Sequence, residues 1–182
     1  MLNKKIALRT FLLALLFAGL FVAGCKDNDE GTEQENITTV VLHFIGPGLD
    51  REFEWNDLDG PGGNAPTVQT IELPPLTGNI TCRVHVYDRS KTPAEDITKE
   101  IEEEADEHLI VYIPDASVSA TWNYDDTDSK GKPLGIKTKW QTNQPSAGNL
   151  RVILYHEPTN KDNLSNPGGE VDFDVTFPVR IQ

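Results

Sequence analysis

The chain has 182 residues, 37% of them hydrophobic, with 16 Lys plus Arg against 29 Asp plus Glu and a net charge of −13. That length suits one domain with one hydrophobic core. A surface this acidic repels phosphate backbones, which excludes nucleic acid as a partner.

Lys4, Lys5 and Arg9 form a positively charged start, and residues 11–23 form an apolar run. The run is too short to span a bilayer and has the length of a secretory signal. It ends in Val22-Ala23-Gly24-Cys25, which resembles the bacterial lipobox. There, small residues admit the signal peptidase and the Cys thiol receives a diacylglycerol. Residues 1–24 are therefore expected to be a lipoprotein signal, with Cys25 the acylated new N-terminus carrying palmitate-type chains. Cleavage removes three cations and no acid, so −13 becomes −16. Diacyl plus amide-linked chains make anchoring stable where one chain is marginal. The next residues, Lys26, Asp27, Asn28, Asp29 and Glu30, resemble the surface-export signal of Bacteroidetes-type lipoproteins. Residues 25–36 are polar and without periodicity, as a flexible acidic tether would be. The expected address is the outer membrane, lipid-anchored and facing the cell exterior.

Residues 37–182 read as a single domain ruled by period-two alternation. Residues 37–45 are apolar on both faces, as a central strand requires. Shorter strands are expected at 51–55, 68–73 and 108–113. At 79–87, Ile80, Cys82, Val84 and Val86 share one face. Cys82 on that face reads as a buried small hydrophobe. With Cys25 acylated, it has no disulfide partner. Thr92-Pro93-Ala94-Glu95 has the form of a capping box with Pro at the first helical position. Ala94, Ile97, Ile101, Ala105 and His108 then follow at helical spacing, predicting an amphipathic helix over 93–107 with an acidic outer face. Strands at 117–124, 135–141 and 149–156 follow. At the C-terminus Val171, Phe173, Val175, Phe177, Val179 and Ile181 share an inward face, with Pro178 marking an edge or a bulge. About nine strands separated by Gly, Pro, Asn and Asp predict an antiparallel two-sheet, Ig-like β-sandwich with one inserted helix.

The loops hold the candidate sites. Asp126 and Asp128 begin a partial calcium loop, with Gly131 at the sixth position. Lys130 and Lys137 stand where oxygen ligands belong, so a hairpin turn competes with a calcium site. Asp57 and Asp59 are a second such pair. The four histidines, His43, His85, His108 and His156, fall in four separate elements without metal-ligand spacing and read as ordinary strand histidines. His156, where a strand gives way to a long loop, is the most accessible of them. Trp55, beside the Gly-rich loop 60–66, is the candidate exposed ring for ligand stacking, whereas Trp122 and Trp140 sit on inward registers. No nucleophile, zinc-protease or phosphate-loop motif is present, so the chain reads as a non-enzyme without a cofactor.

Residues 90–108, SKTPAEDITKEIEEEADEH, and 171–179, VDFDVTFPV, resemble a family of small Bacteroidetes-type surface lipoproteins. The resemblance implies association with a TonB-dependent outer-membrane transporter and an accessory role in nutrient uptake. It assigns no ligand and no catalytic residue. Other expectations are a structural or adhesive surface module, or a calcium-binding protein built on the acidic loops.

Overall fold

In the computed structural model the described residues are 35–60 and 62–182. The signal at 1–24, Cys25 and the run 26–30 lie outside the described residues. In chain order the elements are β1 (Thr39–Gly46), β2 (Leu49–Asn56), β3 (Thr67–Val68), β4 (Ile71–Leu73), β5 (Ile80–Asp88), β6 (Glu95–Asp96), α1 (Thr98–Glu103), β7 (His108–Pro114), β8 (Ala120–Tyr124), β9 (Lys137–Thr142), β10 (Ser146–His156) and β11 (Glu170–Ile181). One sheet runs β3-β2-β1-β5-β9-β8, with β6 also on β5; the other runs β4-β11-β10-β7. The expected two-sheet β-sandwich is the architecture. All pairings between named strands are antiparallel except β4 with β11, which is parallel.

The alternation of apolar residues sets which faces meet. Ile80, Cys82, Val84 and Val86 of β5 are fully buried. On β11, Phe173, Val175, Phe177, Val179 and Ile181 point into the same core. Strand β1 is flanked on both sides, as its two-faced apolar run predicts. Phe44 packs edge-on against Phe53 and Trp140, with centroids 6.1 and 5.9 Å apart, and Tyr112 links this group to Trp122. Two tyrosine hydroxyls tie the sheets together: Tyr112 Oη donates to Gly135 O at 2.6 Å and Tyr124 Oη to Ile110 O at 2.9 Å. Burial pushes both phenols above their ordinary range, so they stay protonated donors. Cys82 is a buried free thiol whose ionisation burial pushes far up.

Four expectations are corrected. The helix spans 98–103 rather than 93–107. Glu95 and Asp96, expected in its first turn, pair instead with Asp88 and Tyr87 as β6. Sheet pairing outweighs the local capping box, and the first helical residue, Thr98, is itself tied to β5. Its hydroxyl accepts the Val86 N–H at 2.8 Å and donates to Val86 O at 3.3 Å. The segment 68–73 divides into β3 and β4, one in each sheet. Val171 is exposed, because a β-bulge at this end of β11 shifts the register between Leu154 and Tyr155. Trp55 is not a free ring: it is half-buried and packs against the core. Pro178 does lie at an open edge, since β4 pairs with β11 only from Val179 onward.

Strand directions sort the connections. The short links 47–48, 74–79, 115–119 and 143–145 lie at one end of the sandwich. The links 57–66, 89–94, 104–107, 125–136 and 157–169 lie at the other, where β1 begins and the chain enters. Asn36 marks that point, donating to Asp88 and Ser90 at 3.2 and 3.1 Å.

Candidate functional site

Of the four acids expected to hold calcium, Asp59, Asp126 and Asp128 are built into the scaffold, while Asp57 Oδ1 is buried without a hydrogen-bond partner among the described residues. Asp126 accepts the N–H groups of Gly135 and Lys137 at 2.8 and 2.7 Å. Asp128, with a side chain only 1% exposed, accepts the N–H groups of Lys130 and Lys132 through one oxygen and the Lys161 ammonium through the other, at 2.9 Å. Burial alone would raise the Asp128 carboxyl, but Lys161 and the backbone donors outweigh it and hold it below its ordinary value. Lys161 also donates to Ala105 O at 2.5 Å. This buried pair therefore joins the 104–107, 125–136 and 157–169 loops. Asp59 is occupied by the backbone and side-chain N–H groups of Asn64, at 2.8 and 2.6 Å. The loops carrying Asp57 and Asp126 leave β2 and β8, four strand spacings apart, about 19 Å across the sheet. That distance separates the two acid pairs rather than joining them.

His156 has a different fate. It is the last residue of β10, and the antiparallel register with β7 places it opposite His108, the first residue of β7. The two imidazoles stack, 4.9 Å between centroids and 10° from parallel. Asp172 completes the group. In the β10–β11 ladder Leu154 faces Phe173 and Tyr155 faces Val171, so Asp172 is the extra residue of the bulge. Bulges re-aim side chains, and here Val171 turns outward while Asp172 joins the histidines. Donor atoms of His108, His156 and Asp172 lie within 4.8 Å of one another. A second group with the same spacing, Glu107, His156 and Glu157, shares His156.

Backbone contacts hold the group in place. The Glu157 N–H donates to Glu107 O at 2.7 Å, closing the end of the β7–β10 pair. Gly169 has φ +81°, and a Cβ there would stand 2.2 Å from His156 O, so only glycine lets the chain return this closely into β11. His108 Nδ1 lies 3.1 Å from Glu104 O. A carbonyl oxygen only accepts, so Nδ1 carries the proton in this contact and Nε2 keeps its lone pair.

The electrostatics favour a cation. Burial lowers the His108 pKa, which keeps the ring neutral near pH 7. Burial raises Asp172, and the imidazoles of His156 and His108 pull it back when protonated. Glu35, where the chain enters, is pushed up to about 7 by burial, by a hydrogen bond to Glu100, and by the charges of Glu100, Glu95 and Asp172. Among the described residues no Lys or Arg pairs with Glu35, Glu100, Glu107, Glu157 or Asp172.

Of the described residues expected to form sites, only His156 joins this cluster. His108 and Asp172 carry no local signal. The available clue was that one predicted strand opens on His108 and another closes on His156, which antiparallel pairing would align. No family model, curated protein or solved structure matches the chain.

Proposed function

We propose that this chain is a lipid-anchored cell-surface binding protein, an accessory to nutrient uptake at the outer membrane with a TonB-dependent transporter as partner. The observation that carries the reading is the run Val22-Ala23-Gly24-Cys25 after an apolar segment of signal length, followed by the acidic run 26–30. Geometry at the other end of the tether supports it. Residues 25–36 extend to at most about 40 Å. The chain enters the sandwich at the end that carries the long connections and the His108–His156–Asp172 group. In this reading the anchor at Cys25 joins the sandwich at that end, within tether reach of an integral outer-membrane partner. Loops on a rigid sandwich are where such contacts are made.

The test is affinity isolation of the full-length, C-terminally tagged protein from detergent-solubilised outer membranes. Co-isolation of a TonB-dependent transporter in stoichiometric amount is expected. Recovery of the protein alone, or with pilus or adhesin subunits only, would replace this reading with the structural or adhesive one.

A further inference from the structure

We propose that His108, His156 and Asp172 form a binding site for a divalent transition-metal ion, with zinc the ion best suited to its ligands. The proposal is independent of the lipid-anchoring reading, and it places the metal on residues other than those of the acidic loops. Two imidazoles and one carboxylate suit zinc; calcium takes oxygen ligands only. His108 already has the supporting contact that metal-bound histidines use, Nδ1–H directed at a backbone carbonyl, here Glu104 O at 3.1 Å. That contact fixes the ring and leaves Nε2 as the ligand atom.

The local fold supplies the other two ligands. Strand register sets His156 against His108, and the one-residue bulge delivers Asp172, which a regular strand would leave on the opposite face. Donor atoms within 4.8 Å must close to about 3.3 Å for tetrahedral bonds of about 2.0–2.1 Å. His156 and Asp172 are half-buried at strand ends, so side-chain rotation covers that movement while His108 stays fixed. Among the described residues, the surrounding acids Glu35, Glu100, Glu107 and Glu157 bring no competing ammonium or guanidinium, and their field draws in a cation. Three protein ligands leave the fourth position to water, the arrangement of an open zinc site rather than a closed structural one.

Isothermal titration of the full-length protein, free of any polyhistidine tag and stripped with chelator, tests this. The expected result is one zinc per chain, not displaced by excess calcium. His156→Gln and Asp172→Asn, each melting like the wild type in chelator, should weaken zinc binding by about 100-fold or more. If either variant fails to fold, ring-nitrogen NMR of the wild type decides. Zinc should shift His108 Nε2 and leave the Nδ1 proton in place. Absence of saturable uptake, wild-type affinity in a folded variant, or an unmoved His108 Nε2 signal would overturn the proposal.

Discussion

Lys161 and Asp128 show what a buried charge does when its partners are complete. Both side chains are nearly inaccessible, and each is satisfied by further hydrogen bonds, to Ala105 O and to the N–H groups of Lys130 and Lys132. Removing one partner strands the other charge, so Lys161→Ala should cost about 3–5 kcal/mol in urea unfolding. Replacing both residues with apolar side chains should recover much of that loss. The same geometry bears on calcium. Because Asp126 and Asp128 already hold backbone N–H groups and an ammonium, melting curves in chelator and in about 5 mM calcium should nearly coincide. A weak, half-filled site would add only about 0.4 kcal/mol. A rise of about 8 °C or more, lost in Asp126→Asn, would contradict this. The sequence carried half of this result: Lys130 and Lys137 signalled a turn rather than a metal loop. Lys161 was invisible to it, because its loop is far from Asp128 along the chain.

Strands were legible because one-sided burial imposes period two, and β5 and β11 follow it almost residue by residue. Pairing was not legible. Nothing in Ile71-Glu72-Leu73 announces a parallel partner in β11, and β6 took residues that local propensity assigned to a helix. Of the helical stripe, Ile97 and Ile101 are buried, at the cap and inside the helix, while Ala94 is exposed outside it. Thr98 marks the boundary, since its hydroxyl replaces a ladder partner for Val86. Thr98→Val keeps the shape and removes the hydroxyl, leaving the buried Val86 N–H without its partner while Val86 O keeps the Ile97 N–H. A loss of about 1–3 kcal/mol is expected, with faster hydrogen exchange at the Val86 amide. Unchanged exchange there would mean that another group holds β5 in place. Asp172 belongs to this scale too. Alternation predicts Val171 inward, and only the bulge, fixed by the return of the chain at Gly169, reverses the two residues.

Across the whole molecule, acids gather where the chain enters, and stability there depends on pH with a definite sign. The folded state raises Glu35 from 4.5 to about 7. Its contribution is therefore complete below about 4.5 and lost as pH rises to about 7. Asp88 and Asp128 are lowered instead, so theirs is present above the ordinary carboxylate value and lost as pH falls through their own. His108 is lowered and opposes Glu35 below about 6.5. Glu35→Gln isolates the first effect: in chelator it should melt like the wild type at pH 4 and above it at pH 8, and equal melting at both values would deny Glu35 this role. The sandwich and its loop-rich end could be anticipated from patterning alone, whereas the histidine–aspartate cluster depended on long-range register. The proposed lipid anchoring rests on Cys25, and the most direct measurement is palmitate labelling with fractionation of cells expressing wild-type and Cys25→Ala protein. The wild type should incorporate label and sediment with the outer membrane, while Cys25→Ala should be unlabelled and either soluble or unprocessed. A Cys25→Ala protein that still takes up fatty acid and remains in the outer membrane would contradict the account.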